Sequence, residues 1–116
     1  MKLYTKTHEW VEVASDGTAY VGISKFAADE LGEIVFVDLP EEGQKVAAGE
    51  SFCEIESVKA VAEVNSPVSG TICKVNDALA DSPELLSGGG EWICAVTLSE
   101  PVGELMDEAA YEASLN

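Results

Sequence analysis

The chain has 116 residues, 47% of them apolar, and a mean hydropathy of +0.09. That is enough for one domain with one core, and it excludes a disordered chain. Six lysines, no arginine and 22 acids give a net charge of −16, which excludes a phosphate-backbone binder and disfavours an anionic membrane surface.

The acidity is spread over the whole molecule. Residues 1–58 hold four lysines and twelve acids, and residues 59–116 hold two and ten, so each half nets −8. Such a field steers a protein toward basic partners and keeps its copies apart, so a monomer is expected. No apolar run reaches the roughly 18 residues of a membrane span. Met1–Trp10 is polar and mixed, unlike a signal peptide, and a transit peptide would be rich in Arg. The expected location is the bacterial cytoplasm, or the mitochondrial matrix if the chain is a mature organellar form.

Trp10–Val13 and Thr18–Ile23 read as two short strands around a Ser15-Asp16-Gly17 turn. Ser24 is positioned to cap a short helix ending near Leu31, with Gly32 after it and Phe26, Ala27 and Leu31 toward the core. A strand over Glu33–Leu39 follows, then a turn at Pro40–Gly43. Ser51–Glu56 alternates: Ser51, Cys53 and Ile55 point one way, Phe52, Glu54 and Glu56 the other. The block 57–60 interrupts it, and Val61–Val64 resumes, which makes a hairpin over about 50–65. Ser66–Gly70 is a turn signal, and Thr71–Val75 is another strand. Ser82 and Pro83 read as the cap and first residue of a short helix stopped by Gly88-Gly89-Gly90. Glu91–Leu98 is a strand. An amphipathic helix over 104–115 ends the chain, with Leu105, Met106, Ala109, Ala110 and Ala113 as its core stripe. Many short strands between Gly and Pro turns predict a single mainly β domain, a sandwich or barrel with small helices at its edges.

Catalytic constellations are missing. His8 is the sole histidine, so there is no multi-histidine metal site, and no GxSxG elbow accompanies it. Gly88-Gly89-Gly90 precedes a strand and lacks a following Lys-Ser/Thr, so it is no phosphate cradle. Cys53, Cys73 and Cys94 are spaced 20 and 21 apart in strand-like stretches and are expected to be buried core residues. A chain of this size with these residues is expected to be no enzyme. One residue stands apart. Lys59 lies where two apolar strands meet, in Glu-Ser-Val-Lys-Ala, at the tip of the predicted hairpin. A lysine there projects into solvent on a four-carbon stem, and an acyl group on it would swing from a rigid scaffold.

The segments Glu54-Ile-Glu-Ser-Val-Lys-Ala60 and Val64-Asn-Ser-Pro-Val-Ser-Gly70 resemble the lipoyl-lysine hairpin of the glycine cleavage system H-protein family. Tyr4–Val11, Val21–Ser24, Leu31–Pro40 and Val75–Leu86 match the same family's other blocks in order, so the resemblance spans about residues 3–113. It implies a barrel-sandwich hybrid fold of the lipoyl/biotinyl type. It implies lipoate on Lys59, attached by a lipoate ligase or lipoyltransferase, and a carrier without catalysis of its own. Glu56, Ser57, Val58, Ala60 and Gly70 fall in the two hairpin blocks and are expected to present the lysine for attachment. The implied partners are a PLP-dependent glycine decarboxylase (P protein), a tetrahydrofolate-dependent aminomethyltransferase (T protein) and dihydrolipoyl dehydrogenase (L protein). Thr7, Glu9 and Glu63 map to the family's cleft for the amine-bearing arm. Two departures stand out: Glu63 is longer than the Asp common there, and Ser87–Trp92 is a shortened loop without the family's Tyr. Three other readings compete. One is a relay that hands its lipoyl group to other complexes. Another is a biotin carrier, which would place Met on each side of the lysine where Val58 and Ala60 stand. The last is a module that has lost acylation.

Overall fold

The computed structural model describes residues 1–115. Nine strands are present among them: β1 (Lys2–Tyr4), β2 (Glu9–Val13), β3 (Thr18–Ile23), β4 (Ile34–Asp38), β5 (Lys45–Val46), β6 (Ser51–Ser57), β7 (Val61–Asn65), β8 (Gly70–Val75) and β9 (Trp92–Leu98). Three short α-helices accompany them: α1 (Lys25–Leu31), α2 (Ala78–Asp81) and α3 (Glu108–Ser114), with a 3-10 helix at Pro83–Gly88. All strand pairs are antiparallel. They form a six-stranded sheet in the order β1-β2-β3-β9-β8-β5 and a three-stranded sheet in the order β4-β6-β7. Neither closes into a barrel. Val11, Val21, Ile72 and Val96 of the large sheet share one buried cluster with Ile34, Val37, Ile55 and Val64 of the small one. The mainly β sandwich expected from the strand pattern is therefore the observed architecture. No described helix is long and apolar enough to cross a membrane.

Local chemistry explains most elements. Asp16 accepts the Thr18 N–H at 2.9 Å and fixes the β2–β3 turn. Ser24 Oγ accepts the Ala27 N–H at 3.1 Å and starts α1, while Gly32 ends it at φ +75°. Gly70 is a strand residue, not a turn residue with positive φ. It pairs with Val46 and Leu98, and a Cβ there would lie 2.1 Å from the Thr97 carbonyl oxygen. Only a residue without a side chain lets β8 approach β9 so closely.

Several expectations need correction. A bulge between Ser51 and Cys53 breaks the alternation of β6, so Phe52 and Cys53 are both buried and Ser51 is exposed. Phe26 is exposed and Ala28 is buried in its place, because the inward face of α1 runs through Ala28 and Leu31. Cys53 and Cys94 are buried as expected, but Cys73 is half-buried, its thiol donating to the Ala95 carbonyl at 3.5 Å. Ser82 makes no side-chain cap; it closes α2, its N–H reaching the Ala78 carbonyl, and a 3-10 helix follows. The final helix begins at Glu108, not 104. Met106 exchanges two backbone hydrogen bonds with Tyr4, and Asp107 caps the helix by accepting the Ala110 N–H at 2.8 Å. Its predicted apolar stripe is core only in part: Leu105 packs half-buried against the core, whereas Ala109, Ala110 and Ala113 are exposed and the buried residue of the helix is Tyr111.

Candidate functional site

The β6–β7 hairpin forms as the sequence predicts. Its pairing runs from Ser51↔Asn65 to Glu56↔Val61, leaving Val58, Lys59 and Ala60 at an exposed tip. Ser57 organises that tip. Its Oγ accepts the Lys59 and Ala60 N–H groups at 3.3 and 3.1 Å, and the Ser57 N–H meets the Ala60 carbonyl at 2.8 Å. The Val58 N–H donates to the Glu33 carbonyl at 3.0 Å, which ties the tip to the entrance of β4. Lys59 is thus held at its backbone, and among the described residues its amine has no hydrogen-bond or ion-pair partner. Its stem passes over Gly32, where a Cβ would stand 3.7 Å from the lysine Cε.

Leu31, the residue before Gly32, lines a pocket of about 220 Å³. Ile23, Ala27, Leu31, Ile55, Ala62 and Val64 form its apolar wall. Its remaining lining residues are Thr7, His8, Glu9, Phe26, Glu30 and Glu63. All three expected cleft residues, Thr7, Glu9 and Glu63, therefore converge on one cavity. Glu30 and Phe26 join them without having been predicted for it. The signal for both was α1 itself: once the helix is placed, its exposed flank borders the hairpin.

The carboxylates differ in how they are held. Glu9 is 2% exposed, and three donors reach it. Its Oε1 accepts from the Thr5 and Thr7 hydroxyls at 2.6 and 2.5 Å, and its Oε2 accepts from the Asn65 N–H at 3.3 Å. Glu9 thereby stitches the chain start to the root of the hairpin, and Thr7 is one of its stitches. Glu63 and Glu30 are exposed and line the cavity, and among the described residues no hydrogen bond or ion pair engages their carboxylates.

His8 closes another side. It sits at φ +75°, a conformation His tolerates better than most residues. Its Nδ1 lies 2.7 Å from the Tyr111 hydroxyl, which is itself 2.7 Å from Ser24 Oγ. The Tyr111 ring stacks on Tyr4 at 4.4 Å, and the His8 ring rests 4.7 Å from Phe26. Burial pushes the Tyr111 phenol up, so it stays protonated and able to donate. The sequence pattern pointed to none of these hydrogen bonds, since Tyr111 lies 103 residues from His8 and 87 from Ser24.

Of the proposed hairpin residues, Glu56, Ser57, Val58 and Ala60 surround Lys59, whereas Gly70 lies buried in the large sheet and serves strand packing. The shortened loop before β9 packs on α1. Gly89 is buried at φ +73°, and a Cβ there would lie 2.4 Å from the Lys25 backbone. Among the described residues no group of His, Cys, Asp and Glu is placed to hold a metal. The arrangement suits an acyl chain fixed to the amine of Lys59, an apolar wall for that chain, and carboxylates for a cation at its end.

Comparison with known proteins agrees with this geometry. Residues 2–116 match the family described as Glycine cleavage H-protein. The chain is 53% identical over 113 residues to the probable glycine cleavage system H protein of Thermococcus kodakarensis, covering 93% of this chain and 84% of the relative. It is 48% identical over 117 residues to the glycine cleavage system H protein of Citrobacter koseri, covering 97% and 91%. The crystal structure of a glycine cleavage system H protein from Mycobacterium marinum superposes with a TM-score of 0.90 at 39% identity, covering 98% of this chain and 95% of that one. With a lysine hairpin, an adjoining cleft and a whole-chain match in sequence and fold, the chain belongs to the glycine cleavage H-protein family.

Proposed function

We propose that this single domain is a lipoyl carrier, with lipoate in amide linkage to Lys59, and that it catalyses nothing itself. In this reading it carries the aminomethyl group of glycine from the PLP-dependent decarboxylase to the tetrahydrofolate-dependent aminomethyltransferase. The dihydrolipoyl dehydrogenase then reoxidises the arm. The observation that carries the reading is the exposed Lys59 at a hydrogen-bonded tip, its stem over Gly32, on a hairpin whose Ile55, Ala62, Glu63 and Val64 line an apolar pocket that also holds carboxylates. Bound lipoate would supply a dithiolane that opens, takes up the one-carbon unit and closes again by sulfur exchange.

The chain's own residues supply position and shelter. Ser57 and the Val58–Glu33 hydrogen bond fix where the arm starts. Acylation converts the Lys59 ammonium into a neutral amide, which removes the charge that would keep the stem in water. Ile55, Ala62 and Leu31 give the aliphatic chain a surface to lie on. Glu63 and Glu30 hold the protonated amine of a loaded arm by charge, with Glu9 fixed behind them.

Reconstitution with the three partner enzymes tests this. Lipoylated wild type should support glycine decarboxylation and the Lys59→Ala variant should not. If decarboxylation survives in that variant while lipoylation of other proteins falls, the relay reading replaces this one.

A further inference from the structure

We propose that the outer face of the small sheet is the docking surface for the enzyme that acylates Lys59. That enzyme should meet it with apolar side chains ringed by Lys or Arg. The inference deepens the carrier reading and rests on it.

Nine large apolar side chains are exposed among the described residues. Four of them belong to β4 and the lysine hairpin: Val35 is 46% exposed, Phe36 50%, Val58 66% and Val61 59%. The sheet register joins two of them, Phe36 and Val61. Phe36 pairs with Glu56, and Glu56 pairs with Val61, so one row across the outer face reads Phe, Glu, Val. The next row is Asp38, Glu54 and Glu63, all exposed and all carboxylates, with Glu63 on the edge strand, where it also borders the pocket. Like charges directly opposite one another weaken a sheet. No ion pair relieves these three, since the described salt bridges join only Met1 to Glu12 and Lys25 to Asp29. The face thus combines apolar anchors beside the tip with an unneutralised acidic row. A partner with the inverse pattern would complement both, the apolar centre giving affinity and the charges guiding approach.

The chemistry of attachment selects which partner this is. During acylation the bare Lys59 amine must enter an active site, so the enzyme has to touch the protein within one lysine length of the backbone. Partners that act later meet the far end of an extended arm and need no such closeness. The pocket side of the hairpin is walled by α1 and the chain start. That leaves the outer face, with Val58 next to the lysine, as the surface open to close contact.

The test measures lipoyl incorporation by intact mass with lipoate, ATP and a lipoate ligase, varying the carrier concentration. Phe36→Ser and Val61→Ser should each raise the KM for the carrier by about tenfold, as loss of an interface anchor does, with kcat little changed. Glu56→Lys should raise KM too, and added salt should shrink that defect. Val13→Ser, an exposed apolar position on the large sheet, should leave KM unchanged. If Phe36→Ser lowers the thermal midpoint, Val61→Ser on the edge strand and Glu56→Lys carry the test. Wild-type KM in those variants, an equal rise for Val13→Ser, or a defect confined to decarboxylation would overturn the docking assignment and leave the carrier reading standing. No incorporation into wild type, with a control carrier accepted, would overturn both.

Discussion

The lysine hairpin lines the cleft and the C-terminal helix braces it from behind through His8, and the two are held in place by opposite means. The hairpin is a backbone structure: its ladder runs from Ser51↔Asn65 to Glu56↔Val61, and one serine hydroxyl organises its tip. Helix α3 has seven residues and one buried side chain, Tyr111, which stacks on Tyr4 and bonds His8 and Ser24. A ladder spreads its stability over many groups. A single aromatic anchor concentrates it in one. The hairpin should therefore tolerate change at its exposed tip and fail at its buried root, while α3 should fail as a unit when its anchor is altered.

The sheet just beyond that root can be broken at Gly70, the first residue of β8, where it pairs with β9. Gly70→Val should destabilise the fold by at least about 3 kcal/mol in denaturant unfolding, because the clash is with backbone that side-chain rotation cannot relieve. A loss under about 0.5 kcal/mol, an ordinary surface value, would show that β8 and β9 can separate freely.

Alkaline pH probes the same root from inside. Burial pushes the Cys94 thiol up to about 12, and burial pushes the Cys53 thiol higher still, from an ordinary value of 9.0. Both groups bind protons more tightly folded than unfolded. Their contribution is therefore fully present below about pH 9 and is lost as pH rises toward the folded values. Each thiol should cost about 1.4 kcal/mol of stability by pH 10. Cys53→Ser with Cys94→Ser should flatten that slope, and an unchanged slope would place the titrating groups elsewhere.

The helix side is sharpened by Tyr111→Phe, which keeps the stack on Tyr4 and removes the hydroxyl. We expect a loss of about 1 kcal/mol overall, with faster amide exchange confined to α3. Exchange that quickens equally in β6 and β7 would mean the two regions unfold together, and the contrast between them would dissolve.

What could be read from the sequence follows the same divide. Lys59, the two hairpin strands, Ser24 as a cap and Gly32 as a stop all depend on neighbours within a few residues, and all stand where the sequence put them. The start of the last helix did not, because Met106 is claimed by Tyr4, some hundred residues away. The alanine stripe failed for a related reason: periodicity identifies a face but not whether anything meets it. Phe52 was misdirected by a bulge, which alternation cannot foresee. At the cleft, Thr7, Glu9 and Glu63 came from family resemblance, whereas Glu30, Phe26 and the His8–Tyr111 contact required the fold.

Intact mass before and after incubation with lipoate, ATP and an active lipoate ligase tests the central claim most directly, run on wild type and Lys59→Arg. The account predicts one lipoyl increment on wild type and none on the variant, with both proteins melting at the same temperature. An unmodified wild type beside a modified control carrier, or an increment that persists in Lys59→Arg, would contradict it.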